Sequence, residues 1–383
     1  MQKKIPCVVM RGGTSRALFF KEEDLPKDPA VWERTILAAF GSPDPNGRQI
    51  NGLGGATSTT SKVAIISRRE GEPNTVNYLF GQVSVTDALI DVKGNCGNIS
   101  SAVGPFAIDE GLVDQIEEPY TTVRVYNTNT KKYIVGRVPV ENGKAKVDGD
   151  FVIAGIAGSG AKIAMEFAHP GGAVTGKLLP TGNPTDELET EGFGTFTVSI
   201  VDAANPLVFV MAADLGITGL ELPAQVDSNP ELLRKLESIR SAATVKIGLA
   251  SNCAEATKKS PAVAKMAFVS PPCDYPSVAG FTVKEPEIDL VARNMSMGKL
   301  HNAYAITGAI CTASAAKVPG SLVWQVIPEE RRASSEVCIG HPTGIVPITI
   351  TMSEGPELVV EKGIAFRTAR RLMEGSVFVP GEE

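Results

Sequence analysis

Histidine is nearly absent from this chain of 383 residues: only His169, His301 and His341 occur. They are too scattered for a metal-ligand spacing, and no HExxH motif or carboxylate cluster accompanies them. Cysteine is scarcely commoner. The six thiols, Cys7, Cys96, Cys253, Cys273, Cys311 and Cys338, form no CxxC pair. That excludes the usual pattern of a structural zinc site and points to free thiols in a reducing compartment rather than a disulfide scaffold. Long apolar runs are missing as well, none approaching the ~18 residues needed to cross a bilayer. The run behind Met1-Gln2-Lys3-Lys4 stops at Met10, too short for a signal peptide. Excess positive charge is also absent; the formal net charge of -6 argues against nucleic acid or a membrane surface as partner. The expectation is a soluble, cytoplasmic, globular protein.

What is present is apolar substance, 43% of the chain, enough for two sizeable cores and hence two domains. Residues 8–10 and 17–20 read as strands around the glycine turn Arg11-Gly12-Gly13-Thr14-Ser15. Asp28-Pro29 opens a helix that runs to Phe40. A Gly/Ser/Thr-rich loop follows, then a buried strand over Lys62-Val63-Ala64-Ile65-Ile66-Ser67. Residues 155–194, rich in glycine and carrying the acidic run Asp186-Glu187-Leu188-Glu189, read as the interdomain connection.

The pattern then begins again. Residues 8–20 line up with 198–210, Asp28-Pro29 with Asn229-Pro230, and Lys62 to Ser67 with Lys265 to Ser270. Gly97 lines up with Gly308, and residues 148–152 with 374–378. The offset grows smoothly in chain order, the mark of a duplicated α/β unit of about 190 residues. The domains expected are residues 1–189 and 190–383. If the halves pack about a pseudo-two-fold axis, the helices opened by Gly97 and Gly308 face one cleft and can hold a small dianion.

Two glycine motifs lead nowhere. Gly52-Leu53-Gly54-Gly55-Ala56-Thr57 lacks the strand before and the helix after that a dinucleotide site requires. Gly171-Gly172-Ala173-Val174-Thr175-Gly176-Lys177 is a near P-loop, but Leu178 replaces the magnesium-binding hydroxyl and Pro180 blocks the helix. His341 reads as a turn residue, whereas His301 stands close to the Gly308 helix start and is a candidate substrate contact.

The stretch Lys93-Gly94-Asn95-Cys96-Gly97-Asn98-Ile99-Ser100 places a thiol on a Gly/Asn turn before an apolar helix over 102–113, with Asn98 or Ser100 available as cap. Such a helix start favours anions; the plainer reading is an ordinary turn with a packed cysteine. Lys62 opens a strand after a polar loop that offers no acid to pair with it. It is either an exposed lysine at a strand end or, if it faces a cleft, an amine of lowered pKa able to act as a base.

Together the motifs Arg11-Gly12-Gly13-Thr14-Ser15, Gly54-Gly55-Ala56-Thr57-Ser58-x-Thr60-Ser61-Lys62, Gly94-Asn95-Cys96-Gly97-Asn98, Leu178-Leu179-Pro180-Thr181-Gly182 and Gly340-His341-Pro342-x-Gly344 resemble the PrpF family over essentially the whole chain. That resemblance implies an α+β, diaminopimelate-epimerase-like fold, with two similar domains each wrapping a sheet around a central helix and the active site in the cleft between them. It implies a cofactor-independent isomerase that moves a C=C bond in a small unsaturated di- or tricarboxylate, without metal. The candidate reactions are 3-methylitaconate to 2,3-dimethylmaleate and the isomerisation of 2-methylaconitate; 4-oxalomesaconate tautomerisation, epimerisation and plain carboxylate binding are the alternatives. By the same resemblance Lys62 is the base and Cys96 lines the site, with its part in proton transfer left open; Lys62 and Cys96 are the catalytic candidates, and Thr14, Ser15, Gly97, Asn98, His301, Thr307 and Gly308 are the candidate substrate contacts. Epimerases of that fold use one cysteine per domain; here Ala305 stands at the second position, which leaves room for Lys62 as base. A homo-oligomer is expected.

Overall fold

A computed structural model describes residues 1–353 and 358–381. The chain forms two compact units, one comprising Met1–Glu166 and Phe366–Glu383, the other Phe167–Ala365. The first unit carries β1 (Gln2–Gly12), β2 (Ser15–Lys21), α1 (Pro29–Phe40), β3 (Lys62–Arg68), β4 (Thr75–Val83) and β5 (Ile90–Asp91). It continues with α2 (Gly97–Asp109), β6 (Tyr120–Asn127), β7 (Lys132–Glu141) and β8 (Lys144–Ala145). The chain passes into the second unit within β9 (Ile163–Ala168). There follow β10 (Asp186–Thr190), β11 (Gly194–Ala203), β12 (Asn205–Met211), α3 (Pro223–Asp227), α4 (Pro230–Lys246), α5 (Cys253–Lys259) and β13 (Lys265–Ser270). Next come β14 (Tyr275–Pro276), β15 (Thr282–Val283), β16 (Leu290–Ser296), β17 (Lys299–Leu300), α6 (Ile306–Ala315), α7 (Leu322–Val326), β18 (Glu336–His341) and β19 (Gly344–Met352). The chain returns within β20 (Val360–Arg367), and β21 (Ala369–Pro380) completes the first unit.

Strand pairing in the first unit alternates: β1–β2 antiparallel, β2–β3 parallel, β3–β4 antiparallel, β4–β6 parallel, β6–β7 antiparallel. The second unit repeats the alternation with β11–β12, β12–β13, β13–β16, β16–β18 and β18–β19. The helix starts repeat too. Asp28 Oδ1 accepts the N–H groups of Ala30 and Val31 with Pro29 next to it, and Asn229 Oδ1 accepts that of Leu232 with Pro230 next to it. The connectivity of the expected duplication is therefore present in each unit.

Each unit closes around one apolar helix. In α2 every residue from Gly97 to Ile108 is buried, and the helix packs against β1, β2, β3, β6, β7, β8 and β21. In α6 all ten residues are buried, against β11, β12, β18 and β19. A helix apolar on all sides has no amphipathic face to offer water and is stable only when enclosed. On the outside, α1 covers a core of Leu18, Phe20, Ile36, Phe40, Val63 and Ile65; α4 does the same over Val208, Val210, Leu236, Ile239 and Phe268.

Four expectations need correction. Residues 155–194 are not a bare connection, since β9 and β10 lie in them and the acidic run is β10, paired antiparallel with β11. Residues 148–152 do not match 374–378: the former are irregular, with Phe151 bridging Gly160, while the latter belong to β21. The units also differ in extent from 1–189 and 190–383, because β21 pairs along β1 from Gln2↔Pro380 to Gly12↔Ala369 and so belongs with the N-terminus. Finally, α2 starts five residues earlier than the apolar run suggested, and Gly308 is the third residue of α6 rather than its first. Among the described residues no helix is long and apolar enough to cross a membrane.

Candidate active site

The Gly/Ser/Thr loop before β3 is a fixed scaffold. Gln49, 1% exposed, accepts the Ala56 N–H (2.8 Å) and the Ser61 hydroxyl (2.7 Å) at Oε1 and donates to Ser42 Oγ at 2.8 Å. This pins the loop so that the carbonyls of Ser58 and Ser61 accept from Gln82 Nε2 at 3.2 and 2.9 Å. With its NH2 committed, Gln82 turns its oxygen the other way, toward Lys62, which stands directly opposite on β3. Lys62 Nζ donates to Gln82 Oε1 at 2.5 Å and lies 5.3 Å from the Phe80 ring centre.

Lys62 is thus not an exposed strand-end lysine, and among the described residues it is not one half of an ion pair. It is 6% exposed, and burial pushes its pKa down. The strand that Lys62 opens, β3, packs against α2. Cys96 is the N-cap, and its side chain makes no capping hydrogen bond. The expected caps are engaged elsewhere, because Asn98 and Ser100 already lie inside the helix. Ser100 Oγ donates to the Cys96 carbonyl (3.0 Å) and to Asn95 Oδ1 (3.3 Å). Asn98 Oδ1 accepts from the Thr14 N–H (3.4 Å) and from Arg367 Nε (3.2 Å). The first-turn N–H groups of α2 therefore remain available to an anion.

The β1–β2 turn is drawn onto this helix end by two glycines. A Cβ on Gly12 would overlap the Asn98 carbonyl oxygen, and Gly13, at φ +50°, would carry one into the Asn98 amide. The turn leaves Thr14 Oγ1 and Ser15 Oγ buried and without hydrogen-bond partners among the described residues. Lys62, Cys96, Thr14, Ser15, Gly97 and Asn98 thus all belong to the surroundings of one helix start.

His301, Thr307 and Gly308 belong to the second unit, at the start of α6. His301 Nδ1 accepts the Ala303 N–H (3.0 Å), which leaves the proton of the neutral ring on Nε2. Gly308 lies under Asn294 and the Tyr304 ring, and Asn294 Oδ1 is buried without a partner. Ala305 is the N-cap of α6, the place Cys96 holds in α2. Cys311 is enclosed farther along the helix, donating to the Val201 carbonyl, and burial pushes its thiol well up; it is a packing residue.

Sequence reasoning missed Gln82, Arg367, Asn205 and Asn294. Asn205 is 1% exposed with both amide atoms unpartnered, and it opens β12 as Ser15 opens β2. The aligned repeat held that signal. The near P-loop does bind an anion, but its own: Asp202 Oδ2 accepts the N–H groups of Val174 and Thr175 and the Thr175 hydroxyl at 2.7–2.9 Å.

The model of the PrpF protein family matches residues 2–380. The chain belongs to the PrpF family. Its relatives include a 3-methylitaconate isomerase of Eubacterium barkeri, 49% identical over 99% of this chain and 98% of that protein. A 2-methyl-aconitate isomerase of Shewanella oneidensis is 40% identical over 99% and 98%. The crystal structure of a methylitaconate-delta-isomerase superposes with a TM-score of 0.78 at 49% identity, covering 99% of this chain and 96% of that one. A hydroxyproline epimerase from Agrobacterium vitis shares the fold at 11% identity, with a TM-score of 0.57 over 99% and 94%. The expected epimerase-like α+β fold is the fold of this PrpF-family chain.

Proposed function

We propose that the chain is an isomerase that shifts a C=C bond by 1,3-proton transfer in a small unsaturated di- or tricarboxylate, with Lys62 as the base. The observation that carries this is the buried Lys62 amine held by an uncharged acceptor, Gln82. A carboxylate in that place would stabilise the ammonium; a carboxamide oxygen positions the amine while burial favours its neutral form. The uncapped start of α2 supplies N–H donors for charge that builds on a substrate carboxylate.

On 3-methylitaconate the steps balance. Lys62 removes the proton of the carbon that bears the methyl group and lies between a carboxylate and the double bond. The electron pair spreads into a dienolate. The ammonium then returns a proton to the terminal methylene carbon, which becomes the second methyl group of 2,3-dimethylmaleate. One proton leaves, one arrives, and no oxidation state of the enzyme changes. Thr14, Ser15, Gly97 and Asn98 are assigned to substrate binding, and Cys96, the N-cap of α2, to the reacting end of the site. A binding role for His301, Thr307 and Gly308 is a separate part of the proposal, open to single substitutions.

The names of the relatives make 3-methylitaconate the first candidate and 2-methylaconitate the second; 4-oxalomesaconate is the third. Ala305 at the N-cap of α6 speaks against a two-thiol epimerase. A cytoplasmic location and a homo-oligomeric state belong to the same reading. Proton NMR of the full-length protein with each of the three acids tests it: one acid should convert catalytically, and no conversion of any of them would remove the isomerase reading.

A further inference from the structure

The first unit buries a second cation that the proton transfer does not use. Arg367, at the end of β20, is 7% exposed. Its partners among the described residues are Asn98 Oδ1, bound by Nε at 3.2 Å, and the Phe366 carbonyl, bound by Nη1 at 2.8 Å. Neither carries charge, and Nη2 has no partner among them. Burial alone pushes the guanidinium down to about 9, so the group is still charged at neutral pH. A buried charge without a counter-ion costs several kcal/mol, and a fold retains it where a ligand completes the pair.

The surroundings point to what completes it. Asn98 has turned its oxygen to Thr14 and Arg367, which leaves Nδ2 as a donor. Ser15 Oγ, on a residue 4% exposed, and Thr14 Oγ1 are unpartnered among the described residues. Asn98 is the second residue of a helix whose N-cap side chain makes no capping hydrogen bond. A planar guanidinium, an amide NH2 and helix N–H groups, which only donate, with two hydroxyls able to donate, form a cluster that suits a carboxylate.

We propose that Arg367 binds one carboxylate of the dicarboxylate substrate, in concert with Asn98 and the start of α2, while the other end of the substrate lies toward Lys62. This rests on the isomerase reading for the identity of the substrate, and on the geometry alone for the binding of a dicarboxylate. One residue, Gly97, separates Asn98, which holds Arg367, from the N-cap Cys96, and β3, which Lys62 opens, packs against the same helix. Arg367 fixes the acid in register and Lys62 moves its proton. A monocarboxylate would leave one of the two demands unmet.

The test uses 2,3-dimethylsuccinate, a saturated diacid that cannot isomerise, and the full-length wild-type, Arg367→Met and Arg367→Lys proteins. Calorimetric titration should show the diacid binding wild type and binding Arg367→Met at least tenfold more weakly. Arg367→Met should melt at or above the wild-type temperature, because a flexible apolar side chain removes an uncompensated charge at similar volume. Arg367→Lys, which keeps the charge but not the paired donors, should lie between the two in affinity. Affinity within twofold of wild type in Arg367→Met, a lowered melting temperature in it, or a wild type that does not bind the diacid would each overturn the proposal. A wild type that binds the diacid through Arg367 yet turns over none of the unsaturated acids would leave the binding role standing and remove the isomerase reading.

Discussion

Two buried side chains, one basic and one neutral, set the chemistry at the residue scale. Burial lowers the pKa of Lys62 from its ordinary 10.5. Turnover should therefore rise with pH through that lowered value and then level off, as the amine becomes free to accept a proton. Lys62 meets Gln82 and the Phe80 ring on β4, and Asp91 stands across from Gln82 on β5. Gln82→Glu places a carboxylate against the amine, so the rise of kcat should move to higher pH by about one unit or more; an unmoved profile would separate Gln82 from the base. The stability sign runs opposite to activity. A lysine whose folded pKa is depressed destabilises the fold, fully below that folded value and progressively less as pH climbs toward 10.5. Lys62→Met should raise the melting temperature at pH 7 while turnover is lost, with the gain shrinking at pH 10. A variant that melts lower at pH 7 would contradict the account. Lys62 was legible as an unusual lysine because its loop lacks acids; Gln82 was not, because cross-strand partnership depends on register that no local pattern reveals.

The decisive element is the β1–β2 turn laid on the start of α2. Gly12 lets the strand approach the helix backbone, and the added Cβ in Gly12→Ala has only backbone to displace. Overpacking of this kind costs on the order of 2 kcal/mol. Chemical denaturation should show that loss, together with weakened diacid binding, since Thr14 and Ser15 shift with the turn; a fully stable Gly12→Ala protein would show that the approach is looser. The counterpart element is α6, whose N-cap is Ala305. Ala305→Cys should not create amino-acid racemase activity, measured as α-proton exchange in deuterated buffer, because the proposed base is the Lys62 amine and not the Cys96 thiol. The glycine and helix signals of both elements were readable in the sequence. Their caps were not, since Asn98 reads as a cap by type yet is used to hold Thr14 and Arg367.

At the scale of the whole molecule, the duplicated connectivity and the family membership were legible from ordered motifs, each of which alone is weak. The extent of the first unit was not, because eleven-residue β1 finds its long antiparallel partner, β21, at the far end of the chain. Only non-local pairing returns the C-terminus there, and only that return brings Arg367 to Asn98. Ending the chain after Thr368 should leave β1 as an unpaired edge and give an insoluble or unfolded first unit. A soluble truncated protein with the native circular dichroism spectrum would argue that β21 is dispensable.

The central claim is that Lys62 transfers a proton between two carbons of an unsaturated dicarboxylate. It is tested most directly by proton NMR of wild type and Lys62→Ala side by side with 3-methylitaconate in D2O. The account predicts 2,3-dimethylmaleate from the wild type, with at most one solvent deuteron in the newly formed methyl group, and a kcat at least about a hundredfold lower for Lys62→Ala, the usual scale of a general base. Turnover by Lys62→Ala within about tenfold of wild type, well outside that scale, or more than one deuteron in the new methyl group after a single conversion, would contradict it.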